Sequence, residues 1–304
     1  MTKRQVGVVG LGPMGLALAE ALGSAGYAVL GWDRAPDRCA AAAAAGVAAA
    51  GSARGAAAGS EVVFTVLPHA EAVLQVALDP EHGILAGLPE GAVLMDMTTA
   101  GPPLAHRLDA EFAAVGRRFV DAPVSGRAPT MAVLLGAEEG ELGAAEQVLR
   151  DVSSSVVHCG RRGAGYAVKL VNQHIKYAWY LASSEALLIA REWGLDVRTV
   201  VAGVERSSGG SRGFTDAAAY FLGDTARVDA RGPARTIAKD MVLAGELAEA
   251  AGVQSPTLSV TTDFFSRLDA SEYADKPFPV GNALLETLRT TEHHDDTDIK
   301  GDQR

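Results

Sequence analysis

Apolar residues in the first half of the chain fall in short, nearly continuous runs. They are Val6 to Val9, Tyr27 to Trp32, Glu61 to Pro68 (EVVFTVLP), Ala92 to Thr99 (AVLMDMTT) and the stretch RRFVDAPVSG. Runs of this length without polar alternation fit strands buried on both faces. Between the first two, Leu16 to Leu22 switches to helical spacing, and Gly26 marks the break before the next strand. The alternation predicts an α/β Rossmann domain, a doubly wound parallel sheet whose ligands sit beyond the carboxyl ends of the strands. Leu67, Pro68, Thr98, Thr99 and Ser125 all fall on that edge. The alanine-rich block from Ala40 to Ala50 follows a plausible helix start and is expected to be helix.

The second half has a different period. From Tyr166 to Trp193 no proline or glycine interrupts the chain, which predicts one long helix ending at Gly194. Further helices are expected near Arg198 to Glu205, Gly213 to Leu222, Thr236 to Ala251 and Ser255 to Arg267, together forming an all-α helical-bundle domain. The polar loop RSSGGSRG reads either as a lid or as a plain helix connector. The expected division is therefore a sheet domain over 1–163, a helical domain over 164–290 for substrate and dimerisation, and a disordered tail over 291–304 that lacks apolar periodicity.

Composition narrows the function classes. A chain of 304 residues is long enough for two cores. With 48% hydrophobic and 21% charged residues and a formal net charge of -10, it lacks any basic cluster that would track nucleic acid. Cys39 and Cys159 stand alone, outside any metal-ligand spacing, as expected of reduced thiols in a cytoplasmic protein. No metal grouping of histidines appears, so no metal is expected. No apolar run approaches a membrane span, and the opening MTKRQVGVVG enters a strand at once, leaving no room for a signal peptide.

The specific chemistry begins at Gly10. Gly10, Leu11, Gly12, Pro13, Met14 and Gly15 spell G-x-G-x-x-G between a strand and a helix. The first glycine allows the tight turn, the second lets backbone approach a pyrophosphate, and the third permits close packing of helix on strand. Asp33 ends the second strand at the distance expected for a ribose ligand. A dinucleotide is the implied cofactor, NAD or NADP. Asp33 accepting both ribose hydroxyls favours NAD, whereas Arg34 and Arg38 clasping a 2'-phosphate favour NADP.

A second candidate lies in GAGYAVKLVNQHIKYAW, where Asn172 and Gln173 stand three and four residues beyond Lys169 on the long helix. These groups with Lys176 form either the solvated stripe of an amphipathic helix or a proton-transfer amine with polar partners. Four segments in order, GLGPMGLALAEALGSAGY, DAPVSG, GAGYAVKLVNQ and AKDMVLAGELAEAAGV, resemble the β-hydroxyacid dehydrogenase family. The resemblance implies that Ser125 and Gly126 hold a substrate carboxylate and that Lys169 is the catalytic amine. Asn172 and Gln173 would orient substrate, while Lys239 and Asp240 would close over substrate and nicotinamide. It also implies a homodimer and a small-molecule substrate.

Two departures stand out. Gln173 replaces an asparagine, and the loop after Ser125 is shorter than the family's, with Arg127 where a glycine is usual. Arg127 reads either as an added carboxylate or phosphate contact or as a solvent-facing loop residue. The expected reaction is hydride transfer between nicotinamide and a β-hydroxy acid or its semialdehyde or ketone. Lys169 would act as general acid and base, its ammonium disfavoured by burial. An imine reductase shares this architecture but usually lacks the lysine. A dinucleotide-binding protein without catalysis is the third reading, disfavoured by Ser125, Lys169 and Asn172 standing together.

Overall fold

The computed structural model describes residues 4–287. The stretch 291–304 expected to be disordered lies outside them. The chain divides into two compact units, Met1–Ile175 with Lys239–Leu258, and Lys176–Ala238 with Ser259–Arg304.

The first unit is built on a six-stranded parallel sheet: β1 (Gln5–Val9), β2 (Ala28–Trp32), β3 (Ala48–Ala49), β4 (Val62–Thr65), β5 (Val93–Asp96) and β6 (Arg118–Asp121). Their order is β3-β2-β1-β4-β5-β6, which is the doubly wound arrangement with its switch point between β1 and β4. The helices of this unit are α1 (Pro13–Ser24), α2 (Pro36–Ala44), α3 (Ala53–Ala57), α4 (Ala70–Leu78), α5 (Ile84–Gly87) and α6 (Pro102–Ala113). Proline in the first turn of α1, α2 and α6 starts each helix where the missing N–H costs nothing. Ser52 and His69 cap α3 and α4 with side-chain acceptors. Val8, Leu18, Phe64 and Met95 bury in one core, Val63, Leu94, Leu108 and Phe112 in another.

Two expectations need correction. The alanine block is not one helix. α2 ends at Ala44, Gly46 takes φ +85°, and Ala48–Ala49 turns back as β3 beside Leu30 and Gly31. A glycine in the left-handed region stops the helix that alanine propensity would continue. The run RRFVDAPVSG is likewise two strands. It breaks at Pro123, which has no N–H to give a ladder, and its second part, β7 (Val124–Ser125), joins a separate sheet. There β7 pairs antiparallel with β8 (Ala132–Leu135), and β8 pairs parallel with β9 (Ser155–His158) after α7 (Ala144–Arg150). The expected strand in TMAVLLGA is β8.

The long helix is α8 (Ala164–Glu192), 29 residues. The division between compact units falls within it, after Ile175, and β5 and β6 hold its first turns to the sheet. α9 (Val197–Glu205), α10 (Arg212–Phe221), α11 (Thr225–Asp229), α12 (Ala234–Ala250), α13 (Pro256–Asp269) and α14 (Asn282–Glu286) follow among the described residues, the units exchanging within α12 and α13. The core of the second unit is aromatic, with Tyr177 and Tyr180 meeting Phe265 and Phe278 at centroid distances of 5.0 to 6.1 Å. Gly213 lets α10 approach α8, since a Cβ there would stand 2.9 Å from Lys176 O. The loop RSSGGSRG ends as the cap of α10, Ser211 Oγ accepting from Phe214 N at 3.0 Å.

Candidate active site

The glycine loop connects β1 to α1. Gly10 takes φ +93°, and a Cβ there would lie 2.3 Å from Val66 O. Gly15 is tighter still, its Cβ falling 1.8 Å from Gly10 O. At Gly12 the situation is the opposite, because the nearest atom to an added Cβ is Arg38 Nη1 at 3.8 Å. The space above Gly12 is therefore open, which is what backbone approach to a pyrophosphate requires. Pro13 has no N–H, and Met14 and Gly15 offer the first-turn N–H groups of α1 toward that space.

Asp33 closes the other side. It is 8% exposed and accepts from Leu11 N at 2.8 Å and Ala35 N at 2.9 Å, one bond to each carboxylate oxygen. Arg38 Nη1 stands 3.5 Å from Asp33 Oδ2, and both Arg34 and Arg38 are exposed. Asp33 thus braces the glycine loop, and because Oδ2 also accepts from Arg38 Nη1, it is Oδ1 that keeps a lone pair for a hydroxyl. These residues fit a nicotinamide dinucleotide: Gly10 to Gly15 for its pyrophosphate and Asp33 for its adenosine ribose.

Two buried aspartates fix α8. Asp121, at the end of β6, accepts from Gly163 N at 2.8 Å and Tyr166 N at 2.9 Å, and so caps the helix from a distant strand. Asp96, its register partner on β5, accepts from Thr65 Oγ1, Thr98 Oγ1 and the Tyr166 hydroxyl. Thr98 Oγ1 in turn accepts from Leu67 N at 3.1 Å. The loops after β4 and β5 are thereby tied to the helix turn that precedes Lys169. Burial pushes both carboxyls up, against the opposing pull of these hydrogen bonds.

The sign of the consequence follows from linkage. A raised native carboxyl binds its proton where the unfolded one, near about 3.9, has lost it, so stability falls as pH rises through the native value. Asp96→Asn is expected to flatten that fall, by about 1.4 kcal/mol for each pH unit of elevation removed. Urea unfolding of parent and variant across pH 4 to 8 measures the difference; parallel curves would refute it.

Lys169 lies one turn beyond Tyr166 and is 7% exposed. Its Nζ donates to Gln173 Oε1 at 3.1 Å. Asn172 Nδ2 donates to the same oxygen at 3.1 Å, and Gln173 Nε2 donates to Asp240 Oδ2 at 2.7 Å. On α12, Lys239 Nζ donates to Thr99 O at 2.7 Å and stands 3.2 Å from Asp240 Oδ1, paired in charge but not aligned as a hydrogen bond. Lys169, Gln173 and Asp240 are buried, whereas Asn172 is exposed. The solvated-stripe reading therefore fails for Lys169 and Gln173; Asn172 is exposed, and Lys176 is half-buried with its Nζ 3.7 Å from Asp216 Oδ2.

The structure brings Thr98, Thr99, Lys169, Asn172, Gln173, Lys239 and Asp240 into one connected set. Leu67 joins it through Thr98, while Pro68 is exposed beside it. Ser125 and Gly126 stand outside these bonds, at the turn from β7, where Gly126 takes φ +92°. Arg127 is exposed and lines a surface groove along α1 with Ala17, Glu20, Ser24, Pro129 and Asp151. The short loop thus directs it to the flank of α1. Asp96, Asp121 and Tyr166 are not identifiable as site supports from periodicity. Their one signal is an acid ending each of two buried strands, in VLMD and RFVD. Among the described residues no cluster of three or more His, Cys, Asp or Glu is placed to hold a metal, and no helix is long and apolar enough to cross a membrane.

Comparison with known proteins covers both units. The family model for the NAD binding domain of 6-phosphogluconate dehydrogenase matches residues 5–160. That for the NAD-binding region of NADP-dependent 3-hydroxyisobutyrate dehydrogenase matches 163–280. A probable 3-hydroxyisobutyrate dehydrogenase of Mycobacterium tuberculosis is 31% identical, over 93% of this chain and 97% of its own. The solved structure of the Mycobacterium tuberculosis 3-hydroxyisobutyrate dehydrogenase with L-serine superposes with a TM-score of 0.84 at 28% identity, over 93% of this chain and 99% of that one. An imine reductase of Myxococcus stipitatus shares the fold, with a TM-score of 0.63 at 17% identity over 94% and 100% of the two chains.

Proposed function

The chain belongs to the β-hydroxyacid dehydrogenase family, and from that premise we propose that it oxidises a small β-hydroxy acid, or reduces the corresponding semialdehyde or ketone. The observation that carries the proposal is a buried lysine held by Gln173 and anchored to the nucleotide edge. Bound nicotinamide dinucleotide supplies the hydride acceptor or donor. Lys169 takes the hydroxyl proton as the alcohol is oxidised and returns it in reduction. Asn172, exposed beside it, orients the substrate oxygen. Ser125 and the glycine turn at Gly126 receive the carboxylate, and Lys239, braced on Thr99 O, adds positive charge.

NAD is the favoured cofactor. Two backbone N–H groups pin the Asp33 carboxylate, so it has no freedom to swing away from a 2'-phosphate. NADH is expected to bind at least about tenfold more tightly than NADPH, and Asp33→Asn to narrow that ratio, read by cofactor fluorescence titration. A panel of β-hydroxy acids and cyclic imines tests the reaction class. Turnover of imines with none of any hydroxy acid would transfer the chain to the imine reductases.

Assembly as a homodimer is supported by α8, where Val168, Val171, Ile175 and Trp179 recur at helical spacing and are 40 to 54% exposed. The free thiols Cys39 and Cys159 support a reducing, cytoplasmic setting.

A further inference from the structure

Gln173 is longer by one methylene than the asparagine usual at its position, and its carboxamide is fully engaged. Its Oε1 receives two donors, from Lys169 and Asn172, and its Nε2 gives a proton to Asp240. The amide therefore has one allowed orientation. Turned over, it would set its NH2 against Lys169 Nζ and Asn172 Nδ2, and its oxygen against a carboxylate. Asp240 is 2% exposed, so this orientation is enforced by a buried anion with little water to compete.

We propose that Gln173 is a positioning residue rather than a substrate ligand, and that Asp240 acts on Lys169 through it. The inference rests on Lys169 being the proton-transfer group. The carboxamide accepts one Lys169 N–H and so fixes where the nitrogen lies. Being neutral, it also stands between the amine and the carboxylate. Other titratable groups lie on the elements that carry or brace this chain of bonds. Lys239 lies on α12, and Tyr166, His174 and Lys176 lie on α8. Asp96 and Asp121, at the ends of β5 and β6, bond Tyr166.

The test is a double-mutant cycle on the full chain, using Gln173→Met and Asp240→Ala. Each single variant is expected to lower kcat about tenfold with the KM for NAD unchanged, because a misplaced amine loses rate rather than cofactor affinity. If Asp240 acts through Gln173, the double variant is no slower than Gln173→Met alone. Two losses that multiply would overturn the proposal. Asp240→Asn keeps an acceptor oxygen without the charge. It is expected to lose about threefold in kcat, recovering part of what Asp240→Ala loses, while the ionisation of Lys169 in the pH profile of hydroxy-acid oxidation moves to lower pH. A folded Asp240→Asn with a tenfold loss and an unshifted profile would equally overturn it, and this arm decides the matter should Asp240→Ala not fold. Lys169→Met separates the two levels. If it stays active the proposed reaction fails, whereas an inactive Lys169→Met beside multiplying losses removes only the role of Gln173.

Discussion

Lys169→Met is expected to lower kcat by about a thousandfold or more, within the range that a positioned general acid or base contributes, while leaving NADH binding within about twofold of the parent. Methionine is chosen because its unbranched stem fills the same buried space without the amine. Gln173 Oε1 keeps Asn172 as a donor, so no buried acceptor is orphaned. The glycine loop and Asp33 do not touch Lys169 through any of the bonds described, so the cofactor has no reason to leave. Turnover and cofactor fluorescence measured on the same preparation read both halves. Retained turnover would mean that the proton travels by another route, with Lys169 merely structural.

The second large effect is a contrast between two glycines three positions apart. Gly15→Ala should damage the fold, because the new methyl would meet Gly10 O and Gly10 C at 1.8 and 3.0 Å, backbone atoms with no flexible end to yield. The cost expected of such overpacking is about 1 to 3 kcal/mol, with α1 forced off β1 and cofactor affinity falling with it. Gly12→Ala should leave thermal unfolding within about a degree or two of the parent, since its methyl meets only the far end of Arg38 at 3.8 Å. It should nevertheless weaken NADH at least about a hundredfold, because that methyl occupies the approach of the pyrophosphate. Equal behaviour of the two variants in both unfolding and binding would show that Gly12 does not face the cofactor.

The sheet was legible because its strands are buried on both faces and announce themselves as unbroken apolar runs. Val62 to Thr65 and Val93 to Asp96 are buried at every position. The glycine loop was legible because its requirement is steric and local. The limits were equally physical. Alanine propensity is the same whether the chain continues as helix or turns at Gly46, so β3 was hidden. Pro123 separated two strands that hydrophobicity alone had joined. The site was legible only as positions. Lys169, Asn172 and Gln173 were visible as polar interruptions of a helix, but which were buried depended on partners distant in sequence, Asp240 and Tyr166 among them. The direction of Arg127 was set by the course of a short loop, which no periodicity encodes.

One feature of the sheet reaches beyond stability. Asp96 and Asp121 stand opposite each other in the ladder of β5 and β6, and both reach the same turn of α8. Side chains alternate along a strand, so a slip of β6 by a single residue would send Val120 to that turn and Asp121 to the opposite face. The long helix would then lose its anchor, and the amine its address. Correct strand pairing and catalytic competence are in this protein the same event, so a chain that pairs its edge strand wrongly during folding is silenced before it can act on a metabolite.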